Sequence, residues 1–353
     1  MIFIGLSGLK VIYLIILLYK IGEKNWNNSY PASYRMLRKR QILEMVDENA
    51  TFENQNRNKR MKTTEGYMPF MGYQTYYRVV GECTGNKKPL LLLHGGPGST
   101  HNYFEVLDCL AESGRAVVSY DQLGCGHSYL DGHPELWTLD TWTRELEALR
   151  EHLQLDHLHI LGQSWGGMLL ISYLIDQKPA GVQSAILSST LPSSKLWSDE
   201  QHRMIRYMLA EEQQAIARAE ASGCYDDPAY LAANEHFMQL HCAGEVTADS
   251  PECLRRPKRT GAEAYLHGWG PNEYTPTGSL GGFEYTERLG EIDVPCLIMS
   301  GTEDLCTPIV AKTMFDGIRQ SQWELFAGCR HMPFVEANAQ YCRVLADWLD
   351  RMD

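Results

Sequence analysis

The chain has 353 residues, of which 44% are hydrophobic and 22% charged, so it is long enough for a large core and is neither disordered nor fibrous. Its charge is uneven, because residues 1–60 carry ten Lys and Arg against five Asp and Glu, whereas residues 61–353 carry 22 against 39. The acidic body repels polyphosphate and therefore disfavours nucleic acid as a partner.

The ten cysteines all lie after residue 60, and no two of them have C-x-x-C spacing. The sequence therefore has neither a zinc nor a dithiol redox signature, and we expect no metal and no cofactor. Scattered thiols are typical of a reducing compartment, so we expect a cytoplasmic protein, although their even number leaves a secreted one open.

The first sixty residues differ from the rest. Residues 2–19 are apolar apart from Ser7, two glycines and Lys10, and their length is the lower limit for a membrane-spanning helix. No basic stretch precedes the segment and no A-x-A cleavage site follows it, which disfavours a secretory signal. The basic residues that follow it would keep the body cytosolic if the segment inserts. Asparagine occurs seven times in residues 1–60 and five times in the other 293, which equally indicates upstream sequence translated in error before Met61. We expect membrane contact only if residues 2–19 insert, and we expect residues 1–60 to be dispensable for folding and catalysis.

The body begins with alternating hydrophobic residues that predict a hairpin at 67–70 and 75–80. Residues 90–93 form a continuous apolar run, as expected for a strand covered on both faces in a mostly parallel sheet. Further apolar runs predict strands at residues 116–120, 158–161, 184–187, 295–299 and 323–326. Helical periodicity lies between them, most clearly at residues 139–153 and 168–175. The alternation predicts a doubly wound α/β core.

The alternation stops after the predicted strand at 184–187. Residues 193–290 are polar and helical in pattern, most clearly at 200–221 and 228–242, and we interpret them as an inserted helical cap. A final helix is predicted at 334–351. The predicted organisation is an N-terminal head, two parts of one core and a cap between them: residues 1–60, 61–192, 193–290 (the cap) and 291–353.

Gly162-Gln163-Ser164-Trp165-Gly166 has the G-x-S-x-G form of a nucleophile elbow, in which a strand turns sharply into a helix and exposes one serine. An alcohol is a poor nucleophile at neutral pH, so Ser164 needs an imidazole to take its proton and a carboxylate to orient that imidazole. In α/β-hydrolases the chain order is serine, acid, histidine. Asp304 follows the strand predicted at 295–299, and His331 lies between the last strand and the last helix. Both candidates therefore lie at carboxyl ends of strands, where open α/β sheets build their sites.

Two alternatives stay open for the acid and the base. Glu303 competes with Asp304 for the orienting role, because the two residues are adjacent. His94 could be nominated as the base, but it precedes the serine and belongs with the glycines that follow it. The assignment of Ser164, Asp304 and His331 rests on their joint order and strand-end positions.

A glycine-rich segment, His94-Gly95-Gly96-Pro97-Gly98, follows the apolar run at 90–93. Its amides can face the space above Ser164, where a developing oxyanion needs two donors. We expect the backbone N–H groups of Gly96 and Trp165 to form this oxyanion hole.

Four motifs together closely resemble the prolyl aminopeptidase (proline iminopeptidase) family of α/β-hydrolases: His94-Gly95-Gly96-Pro97-Gly98, Tyr120-Asp121-Gln122-Leu123-Gly124-Cys125-Gly126-His127-Ser128, Gly162-Gln163-Ser164-Trp165-Gly166-Gly167 and Gly270-Pro271-Asn272-Glu273. The resemblance implies an α/β-hydrolase fold and a cytosolic serine exopeptidase that releases an N-terminal residue, often proline, through Ser164, Asp304 and His331. Its substrate would be a short peptide or an aminoacyl compound. The resemblance also implies an acidic cap residue that binds the free amine of the substrate, and Glu273 matches that position.

One position departs from the family pattern. In parts of the family a second acidic residue follows the catalytic aspartate, whereas Leu305 occupies that place here. The amine contact would then be weaker, or would come from Glu235, Glu284 or another cap acid, and strict preference for proline is open. An amino-acid amidase or esterase of the same fold is therefore the alternative function. A third hypothesis is a non-catalytic binding module that residues 2–19 tether to a membrane. The presence of serine, acid and base argues against it, because binding alone does not require them.

Overall fold

The structure is a computed structural model that describes residues 61–82 and 87–353. The predictions for residues 1–60, including the apolar segment at 2–19, lie outside the described residues. None of the helices in the two described ranges combines the length and the apolar composition that a membrane span requires.

An eight-stranded sheet forms the centre of the body, with the order β1-β2-β4-β3-β5-β6-β7-β8. The strands are β1 (Thr63–Phe70), β2 (Tyr73–Val80), β3 (Leu90–Leu93), β4 (Val117–Tyr120), β5 (Leu158–Gln163), β6 (Val182–Ser188), β7 (Cys296–Gly301) and β8 (Ser321–Phe326). The pairs β1–β2 and β2–β4 are antiparallel, and the pairs from β4 through to β8 are parallel. The predicted α/β-hydrolase type of fold, with a mostly parallel sheet, is confirmed.

Burial along the strands follows their place in the sheet. All residues of the central strands β3 and β5 are buried, as helices on both faces require, and this explains the continuous apolar sequence of β3 and the mostly apolar one of β5. In the edge strand β8 only Phe326 is buried, so its sequence mixes polar and apolar residues. The parallel strands β3 to β8 all point their carboxyl ends at one edge of the sheet, where the loops after them can meet.

Ten α-helices connect or follow the strands in the described part of the chain. They are α1 (Leu139–His152), α2 (Trp165–Ser172), α3 (Ser194–Ile205), α4 (Ala210–Ser222), α5 (Pro228–His241), α6 (Glu252–Arg255), α7 (Ala262–Gly268), α8 (Pro308–Gly317), α9 (Pro333–Glu336) and α10 (Asn338–Met352). A 3₁₀ helix also covers His101–Ser113, and shorter ones cover Gly126–Ser128, Pro134–Leu136 and Thr286–Glu291.

Three helical predictions differ in detail from the structure. The helix predicted at 168–175 begins earlier, at Trp165, because it starts directly after the turn at Ser164 and continues as a π-helical turn at Tyr173–Gln177. The segment predicted at 200–221 is two helices, since the Glu212 side chain accepts from Leu209 N and caps the start of α4. The last helix, predicted at 334–351, is divided into α9 and α10.

Helices α3 to α7 all lie between β6 and β7 in the chain, within the segment predicted as a cap. The two ends of this segment lie next to each other, since Ser194 N donates to Phe283 O and Tyr285 N donates to Pro192 O. Residues 62–353 form one compact unit, so the division into core and cap at 193 and 290 stays a prediction.

Candidate active site

Ser164 lies at the turn between β5 and α2, with the backbone angles φ 55° and ψ −123°. The flanking glycines make this turn possible. A Cβ on Gly162 would lie 2.2 Å from the carbonyl oxygen of Gly166, and one on Gly166 would lie 2.1 Å from that of Leu93. Thr190, after β6, donates from Oγ1 to the Ser164 carbonyl at 2.6 Å. The turn therefore has the geometry of a nucleophile elbow.

His331 and Asp304 are in direct contact, since His331 Nδ1 lies 2.7 Å from Asp304 Oδ1. Three further donors orient the carboxylate of Asp304: the Ser189 hydroxyl at 2.6 Å, Gly301 N at 3.0 Å and Cys306 N at 2.8 Å. The competing Glu303 is exposed, and the hydrogen bond to its carboxylate comes from its neighbour Thr302. Asp304 is therefore the acid that can orient His331.

Ser164 and His331 line one cleft of about 600 Å³. Among the described residues, no hydrogen bond joins Ser164 Oγ to His331 Nε2. Such bonds are often long in enzymes without substrate and tighten when the reacting group binds. The His331 ring lies edge-on to buried Trp197 of α3, with the two ring centroids 5.8 Å apart. The cleft therefore places the imidazole and the hydroxyl around the same space.

The two candidate oxyanion donors are backbone amides at the ends of β3 and β5. Gly96 lines the cleft with φ 115°, and a Cβ there would lie 2.6 Å from Gly98 N. Trp165 is the first residue of α2, so its N–H has no acceptor within the helix. Neither amide donates to another of the residues described, which leaves both N–H groups available to a ligand.

Gln122, after β4, connects these two loops. Its side-chain nitrogen donates to His94 O at 3.0 Å, and its side-chain oxygen accepts from Trp165 Nε1 at 2.7 Å. His94 is buried, accepts from Gln122 N and lies outside the residues that line the cleft. Burial lowers the pKa of His94 to about 4, so its ring is neutral and supports the glycine loop.

Glu273 also lines the cleft, on the loop after α7. Its Oε1 accepts from the Tyr265 hydroxyl at 2.7 Å, and its carbonyl accepts from Trp197 Nε1 at 2.9 Å. No ion pair to this carboxylate occurs among the described residues, and burial raises its pKa above the ordinary value. The alternative acids Glu235 and Glu284 are exposed and do not line the cleft.

Several residues at the site were not predicted. Ser189 and Thr190 bind Asp304 and the Ser164 carbonyl, and the polar run that ends β6 and continues after it was the signal that could have indicated them. Tyr265 and Lys258 line the cleft from a part of the chain that carries no motif of its own. Within the described ranges, no group of three His, Cys, Asp or Glu side chains is placed to hold a metal ion.

Comparison with known proteins agrees with this geometry. The family model for the α/β hydrolase fold matches residues 88–338. The proline iminopeptidases of Clostridioides difficile (strain 630) and Lactobacillus helveticus (strain DPC 4571) are each 61% identical to this chain, over 293 and 295 residues respectively. Each alignment covers 83% of this chain and 100% of the relative.

Solved structures give the same result. The crystal structure of a proline iminopeptidase from Mycobacterium smegmatis is 30% identical, with a TM-score of 0.72, and the match covers 82% of this chain and 98% of that one. The resemblance drawn from the four motifs is confirmed. The chain belongs to the proline iminopeptidase family of α/β-hydrolases.

Proposed function

We propose that this protein is a serine aminopeptidase that releases an N-terminal residue, above all proline, from short peptides. One observation carries the proposal: the cleft that holds Ser164 and His331 also holds Glu273, a carboxylate without a cationic partner among the described residues. A carboxylate in a desolvated site binds an ammonium group more strongly than one in water. Glu273 would therefore bind the free amine of the substrate.

In this mechanism Ser164 Oγ attacks the carbonyl carbon of the N-terminal residue while His331 takes its proton. Asp304 orients His331 through Nδ1, and the amides of Gly96 and Trp165 donate to the oxyanion. His331 then gives its proton to the leaving amine. Water hydrolyses the acyl-enzyme by the same route in reverse, which releases the free amino acid.

Proline is the favoured N-terminal residue because the curated relatives are named for it. Oε1 of Glu273 accepts from Tyr265, whereas Oε2 accepts no hydrogen bond from the described residues and can accept an N–H of the substrate's ammonium group. An amidase or esterase with broader range is not favoured, since the esterase among the structural neighbours is 20% identical and shares the fold alone.

The free cysteine thiols are consistent with a reducing compartment such as the cytoplasm. All nine cysteines in the described ranges are free, and Cys109 Sγ donates to Cys342 Sγ at 3.5 Å without a disulfide between them. Cells keep such thiols reduced in the cytosol.

The nucleophile provides the first test. We expect Ser164→Ala to lower kcat/KM on a prolyl arylamide by at least about 10⁴-fold, because no other group in the cleft replaces the hydroxyl. Labelling of the wild-type enzyme, but not of the variant, by a fluorophosphonate would identify the same residue.

The control for this test is the stability of the variant. Because Ala is no larger than Ser, Ser164→Ala should fold with an unchanged melting temperature. Substantial arylamide hydrolysis by folded Ser164→Ala would refute the proposal. Equal rates on free-amine and N-acylated prolyl substrates would instead refute the aminopeptidase assignment and favour an esterase or amidase.

A further inference from the structure

The catalytic cleft carries a second charge, opposite in sign to Glu273. Lys258 is the one Lys or Arg among the described residues that line this cleft. Glu273 approaches the cleft from the loop after α7, whereas Lys258 lies before α7, so the two charges come from different parts of the chain. The described lining of the cleft therefore includes one anionic and one cationic residue.

Lys258 belongs to a short basic run in which its neighbours already have partners. Arg256 pairs with Glu105 and with Glu252, and the Arg259 guanidinium lies 3.2 Å from the centre of the Tyr129 ring. No hydrogen bond or ion pair to the ammonium of Lys258 occurs within the described ranges. Lys258 lines both the catalytic cleft and a neighbouring cavity bounded by Glu65 and Glu105, and it is the charge in this run that lacks a partner among the described residues.

The backbone around Lys258 is held close to the oxyanion loop. On one side Gly126 N donates to Arg259 O at 2.7 Å, and on the other Gly261 N donates to Gly98 O at 2.7 Å. Lys258 is exposed as a residue, and partial burial, with a smaller contribution from nearby Arg256, lowers its pKa. An anion in the cleft would restore a partner to it.

The chemistry of the reaction supplies such an anion. A short peptide is a zwitterion, with an ammonium at the end that Glu273 would bind and a carboxylate at the other end. Each residue after the scissile bond extends the chain by about 3.3 to 3.6 Å, so this carboxylate stays near the cleft only in short peptides. The acidic body, with 39 Asp and Glu against 22 Lys and Arg, would otherwise repel it.

We propose that Lys258 binds the free C-terminal carboxylate of di- and tripeptide substrates, so that the cleft recognises a short peptide by both of its charged ends. This inference rests on the proposed aminopeptidase function. It makes Lys258 a specificity-determining residue for substrate length and for a free carboxyl terminus.

The test compares peptides with a free carboxylate and the same peptides as C-terminal amides, in the series Pro-Gly, Pro-Gly-Gly and Pro-Gly-Gly-Gly. We expect the wild-type enzyme to prefer the free acid at two or three residues, and Lys258→Met to lower that ratio of kcat/KM by up to about fivefold, the upper end of what an exposed ion pair contributes. The change should lie in KM, because the carboxylate contact is the same in the ground and transition states. Lys258→Arg keeps the charge and should keep the preference.

Arg255→Met is the matched control, since it removes one positive charge from the same run outside the cleft and should leave the acid-to-amide ratio unchanged. Equal rates on acids and amides in the wild-type enzyme, or a preference that survives in Lys258→Met, would overturn the inference. A prolyl arylamide has no carboxylate, so failure of the wild-type enzyme to hydrolyse it would instead refute the proposed function.

Discussion

Glu273 combines burial with the lack of a counter-ion among the described residues. The residue is held at two points, since the Tyr265 hydroxyl donates to its carboxylate Oε1 and Trp197 Nε1 donates to its backbone carbonyl. Burial raises its pKa, while the hydrogen bond from Tyr265 and the nearby His331 act in the opposite direction. Burial therefore costs the ionised form free energy, which an ammonium group of the substrate can offset.

We expect Glu273→Gln to raise KM for substrates with a free amine by about tenfold or more, with little change for amine-blocked esters, because the amide lacks the charge. In the wild-type enzyme the KM for free-amine substrates should rise as pH falls, since the carboxylate becomes protonated, and the raised pKa makes this rise begin above the usual carboxyl range. Steady-state kinetics of both proteins against pH measure the two effects.

Glu235→Gln is the control for this prediction, because Glu235 is an exposed acid of the same segment that does not line the cleft. The recognition role would be disproved by a loss in Glu273→Gln that is the same for free and blocked substrates.

The loops after successive parallel strands build the site together. Each of the strands from β3 to β8 contributes one residue shortly after its carboxyl end: Gly96, Gln122, Ser164, Ser189, Asp304 and His331. Hydrogen bonds between these loops hold them in place. Gln122, for example, bonds to His94 in one loop and to Trp165 in another. The position of each reacting group thus depends on neighbouring loops as well as on its own strand.

We expect Gln122→Ala to lower kcat by up to about 100-fold with a smaller effect on KM, because it frees Trp165 and the glycine loop to shift by a fraction of an ångström. The same change leaves two buried polar groups unpaired, so the free energy of unfolding should fall by about 1–3 kcal/mol. Kinetics on a prolyl arylamide and urea denaturation measure both.

A core truncation separates these effects. Leu146→Ala on α1 should destabilise the protein by about 2–5 kcal/mol while it leaves the hydrogen bonds of Gln122 in place. If Leu146→Ala lowers kcat as much as Gln122→Ala does under conditions where both are folded, the positioning role is wrong.

The molecule as a whole carries a pH dependence of stability through Glu145 on α1. This side chain is fully buried and accepts hydrogen bonds from Leu123 N and the Thr75 hydroxyl. Burial outweighs these bonds and raises the pKa of Glu145 from 4.5 to about 7. The folded protein therefore retains a proton that the unfolded chain has already released, and stability falls as pH rises between these two values.

Replacing Glu145 with Gln should remove this dependence, because the amide is neutral at every pH. Relative to the wild type, we expect the free energy of unfolding of Glu145→Gln to increase by up to about 3 kcal/mol between about pH 5 and about pH 8. Urea denaturation of both proteins at the two pH values measures it. A stability difference between them that does not change with pH would contradict the raised pKa.

Much of the fold and of the site could be predicted from short-range patterns in the sequence. The apolar runs of β3 and β5 reflect burial on both faces, and the glycines around Ser164 reflect contacts within one turn, so both are readable locally. The predicted acid and base follow from their positions after strands, because parallel strands end at one edge of the sheet.

Only the tertiary structure decided whether Glu303 or Asp304 contacts His331. The side chains of neighbouring residues leave the backbone in different directions, and local sequence patterns do not show which of the two points to the histidine. It was also needed to find Ser189 beside Asp304, 115 residues away in the chain, and Lys258 in the catalytic cleft. Sequence determined the strands, the elbow and the family, because those depend on local spacing. The partners of each charged group depend on contacts between distant segments, and these exist only once the sheet has brought its loops together.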